Sequence, residues 1–346
     1  MKKVISIILI IFILISFTAC AEKEPTRYEA EFMMLFDTVT RIVGFANDKK
    51  EFTEYANIIY DNLKEYHQLY DIYNDYEGVN NIKTINDNAG IKPVKVDKRI
   101  IDLIKFSMNL YEKTNGQTNI AFGAVLQIWH EYRTEGIEDP VNAALPSEEE
   151  LRNAAMHTNI EDIIIDDELS TVFLKDPMMS LDVGAIAKGY ATEEVSKIVR
   201  DSGMTSGLLS VGGNIRAINN NIITKEPWNV GVQDPNSQHG EFLQLVKLDD
   251  KSLVTSGNYE RYYTVDGEKY NHIVDPDTLF PSRHFASVSI ICEDSGVADS
   301  LSTAVFSMPF EEGIELINSI PDTEAMWIFN DETVKYSNNF EALIKK

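Results

Sequence analysis

Cysteine is almost missing from this sequence: Cys20 and Cys292 are the only two in 346 residues. A disulfide framework is excluded, so the fold must rest on its core, which a chain of this length can build. Cys292 lies in "SVSIICED", an apolar run that reads as a strand, which predicts a buried and inert thiol. Positive charge is also scarce. Lys and Arg number 31 against 55 Asp and Glu, a formal net charge of −24. Duplex nucleic acid is excluded as a partner, because its phosphates need many neutralising cations. Any phosphate ester bound by such a body must be met by a strong local cation. No G-x-G-x-x-G opens a helix, so the dinucleotide fingerprint is absent. Internal repeats and low-complexity linkers are absent too.

The apolar run at residues 4–17 falls short of the ~20 residues that span a bilayer. What is there fits an export signal: two lysines, the uncharged run, then Thr18-Ala19-Cys20. Cys20 after small residues, followed by "AEKEP", is similar to a bacterial lipoprotein box with Cys20 as the lipid-bearing first residue. The expected organisation is a signal peptide over residues 1–19, a tether over 20–30 and a single folded body over 31–346. The body is expected on the extracytoplasmic face of the cell membrane. An uncleaved N-terminal anchor is the alternative.

In the body, "EFTEYANIIYDNLKEYHQLY" puts Phe52, Tyr55, Ile59, Leu63, Tyr66 and Tyr70 on one helical face. "VDKRIIDLIKFSMNLYEKTNG" does the same with Ile100, Ile104, Met108 and Tyr111, opening near Asp97 and stopping at Gly116. Ser147 and Glu150 form a capping box before another helix. "DIIIDD" pairs with "TVFLKD", and Asp266-Gly267 between alternating segments signals a hairpin. Helices and antiparallel hairpins in mixed order predict an α+β fold, not a doubly wound sheet.

Three stretches could carry chemistry. In "SGVADSLSTAVFSM", Asp299 and Thr303 stand one helical turn apart on one side. Two oxygen donors at that spacing suit Mg²⁺, which borrows further oxygens from water and substrate phosphates; on spacing alone a plain polar stripe is the stronger reading. His272 in "YNHIVDPDTLFP" is either a structural histidine or an acid/base group titrating near 6.5. "MMSLDVGAIAKGYATEEV" sets Asp182, Gly184, Ala185, Lys188 and Gly189 where a helix would simply begin, and "LLSVGGNIRAI" carries a glycine pair that permits close backbone approach.

Taken in order, "LFDTVTRIVGF", "DIYND…IKTIND", "LDVGAIAKGYATEEV", "LLSVGGNIRAI", "WNVGVQDP", "TSGNYERYY…YNHIVDPDT" and "ADSLSTAVF" resemble the ApbE flavin transferases over nearly the whole body. The resemblance implies a T-fold-related α+β domain that moves FMN from FAD to a Thr or Ser hydroxyl of a protein, with Mg²⁺ bound and AMP released. It implies FAD contacts at Phe36, Tyr73, Thr118, Asn119, Ile120, Asp182, Lys188, His272 and Ile273. It implies metal ligation by the Ala185 carbonyl, Asp299 and Thr303, and chemistry by Lys188 with His272 as base. The acceptor is expected to be a membrane redox subunit. A metal-dependent FAD pyrophosphatase and a non-catalytic flavin-binding lipoprotein are the alternatives. Three positions depart from the family pattern: Phe36-Asp37 where Met-Gly is usual, Asn119 where Asp is usual, and Leu279 where Gly is common.

Overall fold

The computed structural model describes residues 24–237 and 240–346. The signal peptide and Cys20 lie outside the described residues. The chain enters as a hairpin, β1 (Thr26–Leu35) and β2 (Thr38–Ala46), so residues 26–30, expected in the tether, already belong to the sheet. Their side chains are mostly exposed, which hid a strand whose partner supplies the burial. Helix α1 (Lys49–Tyr70) follows, then α2 (Ile82–Asn86), β3 (Val94–Lys95), α3 (Lys98–Lys113), α4 (Gly123–Glu138) and α5 (Glu148–Ala155). After the hairpin β4 (Ile163–Asp166) and β5 (Thr171–Leu174) comes α6 (Ala187–Asp201). The strands β6 (Gly207–Val211), β7 (Asn214–Ile218), β8 (Trp228–Gln233), β9 (Phe242–Leu248), β10 (Ser252–Gly257), β11 (Tyr262–Val265), β12 (Glu268–Asn271) and β13 (Ser287–Cys292) come next. Helices α7 (Ser295–Ser307) and α8 (Phe310–Ser319), strands β14 (Glu324–Ile328) and β15 (Val334–Tyr336), and α9 (Phe340–Leu343) close the chain.

Eight strands form one antiparallel sheet in the order β1-β2-β6-β7-β10-β13-β14-β15. Neighbours in the sheet are neighbours among its strands in sequence, with helices and small hairpins inserted between them. Both faces are covered, and the period-2 alternation of strand side chains divides them. Val254, Val288, Ile290 and Trp327 pack against α7 and α8. Their chain neighbours Leu253, Ile291, Met326 and Ile328 pack against Trp228, Val230 and Val246 of the β8–β9 hairpin. That two-sided burial is why β13 reads as an unbroken apolar run. The Cys292 thiol donates to the Asp294 carbonyl, and burial pushes it up to about 12, which leaves it inert.

The helix faces follow the sequence. All six α1 residues named above are buried. In α3, Ile100 and Ile104 are buried together with Leu103 and Leu110, and Met108 and Tyr111 pack part-buried against the same core. Asp97 caps α3, and Ser147 accepts the Glu150 N–H to cap α5. A second lobe forms where α4 and α5 pack on the β11–β12 hairpin through Trp129, Leu151 and Tyr263.

Candidate active site

Two tight turns meet at one end of the sheet. Phe36-Asp37 joins β1 to β2 and Gly212-Gly213 joins β6 to β7, and all four residues have positive φ. Such a two-residue turn matches the twist of its strands. A Cβ on Gly212 would crowd the Thr38 side chain, so this glycine is fixed by contact as well as by backbone. Residue 214 at the start of β7 is thereby set beside α7. Phe36 sends its N–H to His67 Nδ1 at 3.3 Å and turns its ring edge to that imidazole.

The segment before α6 is anchored from three sides. Asn86 exchanges two hydrogen bonds with the backbone of Leu181, at 2.8 and 2.9 Å. The Asp182 N–H donates to the Ile120 carbonyl at 2.8 Å. Gly123, opening α4, lies so close that a Cβ would overlap the Ser180 carbonyl. Asp182 Oδ1 accepts the Gly184 N–H at 2.8 Å. Burial pushes the Asp182 carboxyl up, while that N–H and the nearby His130, Arg133 and Lys188 pull it partway back.

Asp299 is buried on α7, and Oδ2 accepts the Gly189 N–H at 2.8 Å. A continuous helix would send that N–H to the Ala185 carbonyl, so this carbonyl is released from its usual donor. Desolvation holds the Asp299 carboxyl high, countered by Lys188, the Gly189 N–H and the Asn214 amide. Asn214 is itself buried, and its Nδ2 faces this carboxyl without completing a hydrogen bond. Thr303 lies one turn beyond Asp299 and keeps part of its surface exposed. A buried carboxylate, a released carbonyl and a hydroxyl make an oxygen donor set short of positive charge, which fits a small divalent cation that keeps water or phosphate oxygens. Among the described residues, no cluster of three His, Cys, Asp or Glu side chains competes with it.

His272 closes the site at the base of the β11–β12 hairpin, where Tyr262 pairs with Asn271. Its Nδ1 lies 3.3 Å from the Arg261 carbonyl. A carbonyl only accepts, so Nδ1 carries the proton and Nε2 keeps its lone pair. Burial, then Arg261, Arg133 and Lys188, push the imidazole down to about 3. In the free protein this holds the ring neutral, below its ordinary value near 6.5.

The sequence reading missed His130 and Arg133 on α4, and Arg261. Arg133 Nη2 lies 2.9 Å from His130 Nδ1, and the Tyr73 ring stands 5.1 Å from the His130 ring. Among the described residues Lys188, Arg133 and Arg261 form no salt bridge, although Asp and Glu far outnumber Lys and Arg. Lys188 Nζ reaches only 3.5 Å from the Gly184 carbonyl, too long for a good hydrogen bond. Lys188, Arg133 and Arg261 all act on His272, and Lys188 and Arg133 also act on Asp182, so positive charge gathers around this histidine; only packing brings the three together.

The ApbE family model matches residues 36–327. The chain belongs to the ApbE family. It is 33% identical over 269 residues to the FAD:protein FMN transferase of Treponema pallidum, covering 74% of this chain and 72% of that protein. It is 28% identical to a FAD:protein FMN transferase of Klebsiella pneumoniae, over 78% of this chain and 83% of that one. The crystal structure of the ApbE protein of Thermotoga maritima superposes with a TM-score of 0.81 at 30% identity, covering 93% of this chain and all of that one.

Asp37 and Leu279, two of the positions read as departures from the ApbE pattern, hold positive φ of 54° and 64°, a backbone that favours glycine. Leu279 is kept there by its N–H to the Asp275 carbonyl and by Trp129 Nε1 on its own carbonyl. Other residues expected at the nucleotide also bond or pack within the fold. The Thr118 hydroxyl donates to the Ser300 carbonyl at 3.1 Å, Ile120 and Ile273 are core, and Asn119 spans Ala121 and Thr158. Of these, Asn119 also lines a cavity of about 400 Å³ with Phe122, Thr158, Pro276 and Leu279. Tyr73 is half exposed, with its N–H held by Asp71 at 2.7 Å.

Proposed function

We propose that this chain transfers FMN from FAD to a Thr or Ser hydroxyl of an acceptor protein and releases AMP. The observation that carries the reading is the neutral His272 ringed by Lys188, Arg133 and Arg261, with Asp299 beside them. The FAD pyrophosphate is a dianion, and cations that form no salt bridge suit it. Mg²⁺ would be held by Asp299, Thr303 and the Ala185 carbonyl, and when bound it supplies charge neutralisation to the pyrophosphate. Lys188 would hold the phosphates by its charge. His272 Nε2 takes the proton of the acceptor hydroxyl as its oxygen bonds to the FMN phosphorus. The bond from that phosphorus to the AMP oxygen breaks, and AMP leaves with the electron pair. Such a reaction is mostly alignment and charge stabilisation. Asp182 fixes the turn before α6, and Tyr73 offers a ring face to the nucleotide. Pyrophosphatase chemistry would use the same groups with water as acceptor. No observation favours it.

The test is His272→Ala. General-base help is worth about 10²–10⁴-fold, so flavin transfer should fall in that range while FAD affinity changes by less than roughly tenfold. A variant that binds FAD normally and transfers at the wild-type rate would remove His272 from the mechanism.

Cys20 is proposed as the lipid-bearing residue of a membrane-anchored, extracytoplasmic protein, and a membrane redox subunit as the acceptor. The motif at residues 17–20 supports the anchor, and an outward-facing flavoprotein is the acceptor such an anchor would meet.

A further inference from the structure

Two hydrogen bonds join α6 to α7, one helical turn apart. Gly189 donates its N–H to Asp299 Oδ2 at 2.8 Å, and Ser295 donates its N–H to Glu193 Oε2 at 3.1 Å. Gly189 and Glu193 are four residues apart on α6, as Ser295 and Asp299 are on α7, so both bonds lie on the facing sides. The missing side chain of Gly189 makes the approach possible, since a Cβ there would overlap the Ser295 carbonyl and the Asp299 side chain.

Strand β7 meets the two helices with matching spacing. Asn214 faces Asp299, while Arg216, two residues on and so on the same strand face, places Nε 2.9 Å from Glu193 Oε2. The Glu193 and Arg216 side chains are only 7% and 6% exposed. Arg216 also donates to the Ala217 carbonyl and reaches Asp250 at 3.1 Å. Each of the three elements therefore has one contact at the Asp299 level and one at the Glu193 level.

A buried ion pair is a poor source of stability, because apolar residues of the same volume are often neutral or better. Its distinctive property is geometry. Apolar surfaces can slide, whereas a carboxylate held by a guanidinium and a backbone N–H cannot. We propose that the Glu193–Arg216 pair is a positioning device: it sets the spacing of α6, α7 and β7 so that Asp299, Thr303 and the Ala185 carbonyl converge on a divalent cation. The proposal rests on the reading of Asp299 as a cation ligand, and neither Glu193 nor Arg216 touches the substrate.

The experiment titrates Mn²⁺ into the full chain with FAD present and acceptor withheld, following free Mn²⁺ by electron paramagnetic resonance, with a melting curve for each variant. Asp299→Ala tests the underlying reading and should abolish binding; unchanged binding there overturns that reading and this proposal together. Glu193→Gln keeps size and an acceptor for Ser295 but loses the charge. It should weaken Mn²⁺ binding by about 10–100-fold, the usual effect of losing a group that orients a ligand. The pair of changes Glu193→Leu and Arg216→Met should melt at or above the wild-type temperature and yet bind Mn²⁺ as weakly, a separation that a merely structural role would not produce. Wild-type Mn²⁺ affinity in a folded double variant overturns the proposal while leaving Asp299 as a ligand. If the double variant does not fold, Glu193→Gln decides alone, and wild-type affinity there overturns the proposal as well.

Discussion

His272 takes its character from its neighbours. The Arg261 carbonyl fixes which nitrogen carries the proton, and burial with three nearby cations keeps the second nitrogen free. The folded value of about 3 lies below the ordinary value near 6.5. The unfolded chain therefore binds a proton in this window that the folded one refuses. The contribution to stability is fully present above about 6.5 and is lost as pH falls toward 3. For the free protein, the His272 imidazole resonances should stay unshifted from pH 8 to pH 4.5, assigned by comparison with His272→Gln. Titration near 6.5 would contradict the burial assigned to this ring. The chemical groups themselves were legible, since Asp182, Lys188, His272 and Asp299 stand in recognisable segments. Their environment was not, because Arg133 is distant in sequence and only the packing of α4 on β11 brings it to His272.

At the scale of elements, local signals were read well and non-local ones poorly. The Asp266-Gly267 hairpin and the β4–β5 pairing follow from turn chemistry and alternation within about a dozen residues. The eight-stranded order depends on pairings such as β2 with β6, across more than 150 residues of intervening chain by sequence position, for which periodicity carries no information. The glycines at 184 and 189 looked alike in the sequence but do different work. Gly184 donates to Asp182, whereas Gly189 is the contact point of two helices. Two effects oppose in Gly189→Ala. Alanine gains up to about 1 kcal/mol in helix propensity, but its methyl would enter backbone that cannot yield freely, and overpacking costs about 1–3 kcal/mol. The clash should win: the variant should be less stable in denaturant titrations and should bind Mg²⁺ more weakly. Equal or greater stability would show that α6 and α7 can separate without loss.

For the whole molecule, the decisive contrast is between the net charge of −24 and the three cations gathered around His272. The acidic body repels polyanions, and a small nucleotide enters only where cations gather, so composition alone excluded nucleic acid but could not locate the exception. The other whole-molecule feature is attachment. Cys20→Ser should release the protein from membranes into the soluble fraction, and fractionation unchanged from wild type would favour an uncleaved anchor instead. The central claim is that a protein hydroxyl, not water, accepts the FMN group. It is tested most directly by incubating the protein with FAD and Mg²⁺, with and without a Thr-bearing acceptor, and measuring AMP, free FMN and covalently bound flavin together. The account predicts AMP release that depends on the acceptor, with one flavin covalently bound for each AMP formed. AMP matched by free FMN at the same rate with or without acceptor would contradict it.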